Sequence, residues 1–171
     1  MTTPKTALIV IDVQNYFVSR KNGEIPRRIA AHIKASHYDY VLFSKFANQP
    51  GSNFERILGW DKCTDPPDTD IAAALAEFTS PQTVFTKPTK SAFKSAELVN
   101  FLRTHQVSQI DLCGLDIDDC LLASAFEAFD LGYDFKVLED LCAISHETDE
   151  AYDAALKIIR KNLSRADKTE G

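Results

Sequence analysis

QIDLCGLDIDDCLLASAFEAFDLGYDFKVL, Gln109–Leu138, contains a whole strand–helix–strand unit. Gln109–Cys113 is short and largely apolar, as a strand buried on both faces should be. Asp118 or Asp119 then opens a helix, with side chains that reach the free N–H groups of the first turn. Leu121, Leu122, Ala125, Phe126 and Phe129 give that helix a wide apolar stripe, and it stops before Gly132. Phe135–Leu138 reads as the next strand. Two buried strands joined by a helix point to a parallel sheet with helices on its faces.

The same rhythm extends outward in both directions. Strands are expected at Ala7–Ile11, Tyr40–Phe43 and Thr83–Thr86. A helix begins at Pro26, suited to a first helical position, with Ile25, Ile29 and Ile33 on one face. Another runs through IAAALAEF from about Thr69. Ser95 caps a third, with Leu98 and Leu102 facing inward. A last helix starts at Thr148, with acids in its first turn and Lys157, Arg160 and Lys161 towards its end, as the helix dipole favours. The expected fold is α/β: a three-layer α/β/α, Rossmann-like arrangement around a mainly parallel sheet of five or six strands.

At 171 residues the chain suits one domain, expected over residues 1–163, with the polar tail 164–171 disordered. The stretch 44–70 breaks the rhythm. It has no strand pattern and at most a helical turn near Phe54–Leu58, and it carries Pro50, Gly51, Pro66 and Pro67. A loop that long in a compact domain is more often functional than incidental. Four cysteines form no CxxC pair and no zinc-spaced cluster, so free thiols in a cytoplasmic setting are expected. The apolar run near the N-terminus is far too short to span a bilayer, which excludes a membrane role. The net charge of −6, with scattered basic residues, excludes nucleic acid as a partner.

In an open parallel sheet, ligands bind at the carboxyl ends of the strands. Asp12 follows ALIVI, Lys87 follows TVFT, and Cys120 lies in the turn after QIDLC. Taken singly, Asp12 could cap a turn, Lys87 could be a solvated charge, and Cys120 could be a small buried apolar residue. Together they are the parts of an activated nucleophile.

The segments ALIVIDVQNYF, VFTKPTKSAF and CGLDIDDCLLASAFEAFDLGYDFKVLEDLCAIS resemble the isochorismatase-like cysteine hydrolases, which include nicotinamidases and N-carbamoylsarcosine amidases. The resemblance implies an Asp12–Lys87–Cys120 catalytic triad that cleaves a small amide or related C–N bond through a thioester acyl-enzyme. It implies an oxyanion hole formed by the backbone N–H groups of Asp116 and Cys120, with a cis peptide between Leu115 and Asp116. Gln14, Phe17 and Phe93 become candidate substrate-binding residues, Phe46, Phe54 and Trp60 read more readily as core, and Asn48 reads as a loop tie. The chain departs from the family in two places. SKFANQPGSNF (44–54) lacks the histidine of the nicotinamidase metal motif, and His105 and His146 lie far along the chain. No metal and no cofactor are therefore expected. Ile117 stands where a threonine is common.

The resemblance also implies a homo-oligomer, dimer or tetramer, acting on a small-molecule substrate. Two alternatives share the fold: a non-catalytic accessory or interaction protein, and a phosphotransfer enzyme using Asp12. The second lacks a neighbouring carboxylate for magnesium and a Gly-rich phosphate loop.

Overall fold

The computed structural model describes residues 4–146 and 148–164. Five parallel strands form one sheet in the order β3-β2-β1-β4-β5: β1 Lys5–Ile11, β2 Tyr40–Phe46, β3 Val84–Lys87, β4 Val107–Gly114 and β5 Asp134–Cys142. Every expected strand is present. Most run longer than the apolar cores that mark them, because polar residues at the strand ends still take ladder hydrogen bonds. Among the described residues there is no sixth strand. All but Ser164 of the expected disordered tail falls outside the described residues, as do residues 1–3 and 147.

The core is the central strand and what it touches. Residues Ala7–Ile11 are buried without interruption, with Leu42, Phe43, Ile110, Leu112 and Cys113 on the neighbouring strands. Helix α1 (Ile25–Ala35) starts with Pro26 in its first turn and buries Ile25 and Ile29, whereas Ile33 is only partly covered. Helix α2 (Asn53–Leu58) is the single turn expected in the long loop, capped by Ser52. Helix α3 (Ala96–Thr104) is capped by Ser95, whose Oγ accepts from the Leu98 N–H, and buries Leu98 and Leu102. Helix α5 (Asp149–Asn162) follows Thr148 and buries Ala155, Leu156 and Ile159.

Two expectations fail in instructive ways. No α-helix begins at Thr69. The stretch 69–72 is tied to the end of β1 instead: the Gln14 amide holds Thr69 O, Gln14 bridges Ile71, and the Ala72 N–H donates to Val13 O. Only a 3-10 turn, Ala73–Phe78, remains. Helix α4 (Cys120–Asp130) is present, but it buries Leu121 together with the small residues Ser124, Ala125 and Ala128. Phe126 and Phe129 point away, and Phe129 is 57% exposed.

The topology also fixes where a site can form. From β1 the chain moves to one side for β2 and β3, then crosses over so that β4 lies on the other side of β1. At that reversal the loops leaving β1 and β4 diverge and open a crevice at the strands' carboxyl ends.

Candidate active site

Asp12 follows the last residue of β1 and adopts a left-handed conformation, φ 49°. Its carboxylate is buried and held on both oxygens. Ser44 Oγ donates to Oδ1 at 2.6 Å, and Lys87 Nζ donates to Oδ2 at 2.7 Å. Strand register produces this convergence: Ile11 pairs with Ser44, and Phe46 pairs with Lys87. Lys87 is the last residue of β3. It is fully buried, its second bond goes to Thr89 O at 2.7 Å, and its ammonium lies 5.2 Å from the centre of the Phe46 ring.

On the other side of β1, Gly114 ends β4 with φ 121°, and a Cβ there would lie 2.2 Å from Ile11 O. Only glycine permits this approach. It lets the Leu115 N–H donate to Ile11 O at 2.8 Å and carries the next turn over Asp12. The Leu115–Asp116 peptide in that turn is cis. The turn closes with the Asp119 and Leu121 N–H groups donating to Asp116 O, both at 3.1 Å, and α4 begins at Cys120. Ser124 locks the helix start by donating to Cys120 O at 2.7 Å and accepting from the Ala92 N–H at 2.9 Å.

Cys120 shares the cavity with Asp12, and its thiol is close enough to feel the charges of both Asp12 and Lys87, so carboxylate, ammonium and thiol form one cluster. Burial pushes the thiol well above its ordinary value. The Asp12 charge adds to that, Lys87 opposes it, and Asp119 adds again. A thiol held up in this way beside a carboxylate is an arrangement suited to transferring the proton as a bond forms. The expectation that Asp118 or Asp119 caps α4 is not met. Asp119 occupies the cap position without a side-chain bond to the helix, and its carboxylate pairs with Lys90.

A cavity of about 580 Å³ opens over this cluster. Asp12, Leu115, Asp116 and Cys120 form its floor, and Tyr16, Phe17, Phe46, Phe54, Leu58 and Trp60 form an aromatic wall. The rings touch edge to face or tilted, at 4.8 Å for Phe46–Phe54 and 5.7 Å for Phe54–Trp60. Of the three candidate substrate-binding residues, Phe17 lines the cavity. Gln14 does not: its amide donates to Phe46 O and Thr69 O and accepts from the Phe46 N–H, at 2.7–2.9 Å, binding the two ends of the long loop together. Phe93 does not either; it is buried in the core and packs on Tyr133 at 5.6 Å. Asn48 ties the loop as expected, through Trp60 O and Ser52 Oγ.

Sequence reasoning missed Ser44, whose signal was a lone hydroxyl in the apolar run VLFSKF. It also placed Phe54 and Trp60 in the core, whereas Phe46, read the same way, is buried as expected and still borders the cavity. The segment 44–54 offers no carboxylate, histidine or thiol, so the residues present there do not fit a nicotinamidase-type metal. Chain separation, however, is no obstacle to His146. Its Nδ1 lies 3.4 Å from Asp116 Oδ2, and Ser145 Oγ donates to the same oxygen at 2.6 Å. Burial pushes the Asp116 carboxyl up to about 6, with Ser145 and His146 opposing and Asp118 adding to the rise.

A five-stranded parallel sheet covered by helices, with a cavity at the carboxyl ends of its strands, defines an open-sheet α/β protein. The isochorismatase domain pattern matches residues 6–169, and the chain belongs to that family of hydrolases. It is 28% identical over 169 residues to a nicotinamidase/pyrazinamidase of Mycobacterium tuberculosis, a match covering 85% of this chain and 90% of that one. Among solved structures it superposes on the pyrazinamidase/nicotinamidase of Streptococcus mutans with TM-score 0.79 and 27% identity, covering 93% of this chain and 97% of the other. The N-carbamoylsarcosine amidase of Thermoplasma acidophilum shares the fold at TM-score 0.75 and 23% identity, covering 98% and 99%. No helix among the described residues is long and apolar enough to cross a membrane.

Proposed function

We propose that the chain is a cysteine hydrolase of a small, partly apolar amide or related C–N bond, with Asp12, Lys87 and Cys120 as its triad. The observation that carries this reading is the Cys120 thiol lining the same cavity as a buried carboxylate, Asp12, that the buried Lys87 ammonium holds in place. Desolvating two charges costs several kcal/mol even when they pair, and a merely structural role gives no reason to place such a pair beside a thiol.

In the first half-reaction the Cys120 S–H proton passes to Asp12 as sulfur attacks the carbonyl carbon. Lys87 stabilises the charge on Asp12 before the transfer and fixes its orientation. The negative oxygen of the tetrahedral intermediate is received by the N–H groups of Asp116 and Cys120. The latter is the first residue of α4 and has no partner within the helix. As the intermediate collapses, the C–N bond breaks and the amine leaves with the proton from Asp12, giving a thioester. Water then gives its proton to Asp12 and attacks the thioester carbon. The C–S bond breaks, the acid departs, and the proton returns to sulfur. None of these steps is routed through a metal.

The aromatic wall supports a compact substrate with an apolar flank. The sequence offers no Gly-rich phosphate loop, which leaves phosphotransfer unsupported. The same reading takes residues 1–163 as one hydrolase domain acting in the cytoplasm as a homo-oligomer, for which the exposed Phe126, Phe129 and Leu131 offer an apolar surface.

The test is a screen of small amides and ureides with intact-mass detection, run beside Cys120→Ala. The parent is expected to gain the mass of one acyl group, and the variant neither acyl mass nor turnover. Turnover by Cys120→Ala at the parent's rate would remove the nucleophile assignment.

A further inference from the structure

We propose that Asp116, Asp118 and His146 form a binding site for a divalent transition ion of the zinc or manganese type, at a place unrelated to the segment after β2. One ligand atom from each of the three lies within 4.8 Å of the others, the only such group among the described residues. Donors about 2 Å from a shared ion stand roughly 3–4 Å apart. The 3.4 Å between His146 Nδ1 and Asp116 Oδ2 already meets that spacing.

Acidic proximity alone would not make a site, but the state of these carboxylates differs from that of an ordinary cluster. The Asp116 side chain is only 8% exposed, and its Oδ1 is buried with no hydrogen-bond partner among the described residues. Asp118 Oδ1, two positions along the same turn, is buried and unpartnered in the same way. An orphaned carboxylate oxygen leaves its desolvation uncompensated, and two neighbouring ones compound the cost. Asp12, in the same cavity, shows the contrast: each of its oxygens is engaged.

The donor set is two carboxylates and an imidazole, which suits zinc or manganese better than a soft or purely oxygen-seeking ion. Ser145 Oγ, donating to Asp116 Oδ2, supplies the outer-shell bond that orients a ligating carboxylate. His146 is 52% exposed, so the site can be reached from solvent. Asp116 and His146 line the cavity that holds Cys120, and three protein donors leave coordination positions open beside it. A bound ion would give that cavity a positive centre able to hold an anionic or carbonyl oxygen of a substrate or product. The site does not depend on Cys120 being the nucleophile, because its test reads ion binding and not turnover.

The experiment titrates the metal-free protein into Mn²⁺ and follows loss of the free-ion paramagnetic resonance signal. Manganese is chosen because thiolates compete poorly for it. One equivalent should bind, and Asp118→Asn and His146→Gln should each weaken binding by about 10–100-fold, the size of effect that ligand-shell changes produce. As a second readout, Mn²⁺ should raise the melting temperature of the parent by mass action, and raise it far less in either variant. That readout needs only the parent if a variant folds poorly. No stoichiometric binding at millimolar Mn²⁺, or variants that bind as the parent does, would overturn the proposal and leave a proton as the group that neutralises Asp116.

Discussion

The floor and the wall of the cavity are built by opposite means. The floor rests on strand ends: beneath Asp12 and the turn that follows β4, Ser44, Lys87 and Gly114 are placed by the register of β2, β3 and β4, and both carboxylate oxygens of Asp12 are bonded. The wall is mostly loop. Phe54, Leu58 and Trp60 stand on the 44–70 excursion, which Gln14, Asn48 and ring contacts hold; Phe54 and Trp60 are only partly buried and Leu58 is exposed. The strand scaffold positions the proposed chemistry, and the loop shapes the space above it. Substitutions in the floor should therefore change rate and stability together, whereas substitutions in the wall should change substrate binding alone.

The largest effect should come from Asp12→Asn. Losing the proposed proton acceptor should lower kcat/KM by about 10²–10⁴-fold. The same change removes the negative charge that opposes the thiolate, so the alkylation pKa of Cys120 should fall while turnover collapses. Iodoacetamide rates against pH, with labelling mapped to Cys120, separate this from unfolding, which would expose the other three buried cysteines as well. If activity and alkylation pKa stay at the parent's values, the floor is not the chemical site. Next in size is Lys87→Met, which leaves the buried Asp12 charge without its partner. Removing one member of a buried pair costs about 3–5 kcal/mol, readable as a lower urea midpoint. A loss under about 1 kcal/mol, the size of a surface pair, would mean that the pair does not act as a buried unit.

The contrast between floor and wall also explains what the sequence disclosed. Parallel strands with two buried faces leave continuous apolar runs, so ALIVI and its counterparts were visible, and with them the residues at their ends. Asp12, Lys87 and Cys120 could be named because the strand-end rule converts strand positions into a shared rim. Ser44 was hidden because register is a relation between strands, which one sequence does not print. Gln14 and Phe93 sit beside the right segments but point into loop ties and core, and the direction of a side chain in a turn is not periodic. The wall was illegible for the same reason: 44–70 has no repeat, and its aromatic residues look like core until the loop's path is known. His146 was set aside on chain distance, although the end of β5 returns it to the turn after β4.

Trp60→Ala tests the wall. Trp60 is partly exposed on the loop and meets Tyr16, Phe46 and Phe54. Truncation should raise KM by roughly tenfold, in line with the burial of part of an aromatic surface, and leave kcat within a factor of about two. Stability should change by no more than about 1 kcal/mol, since little of the core depends on it. A fall in kcat with KM unchanged would place Trp60 in the chemistry and erase the distinction between wall and floor.

The smallest effect concerns the residue that joins the two regions. Asp119 sits just before Cys120 on the floor and pairs with Lys90, whose ammonium lies 5.3 Å from the centre of the Phe54 ring in the wall. As a helix cap, Asp119 would contribute about 1 kcal/mol to stability; as half of a partly exposed ion pair without a cap bond, it contributes less. Its charge does act on the thiol, raising the Cys120 pKa. Asp119→Asn should therefore leave the melting temperature nearly unchanged, shift the alkylation pKa of Cys120 slightly downward, and lose that difference as salt screens the charge. A melting temperature lowered by several degrees, with alkylation unmoved, would restore the cap role and cut the link between wall and floor.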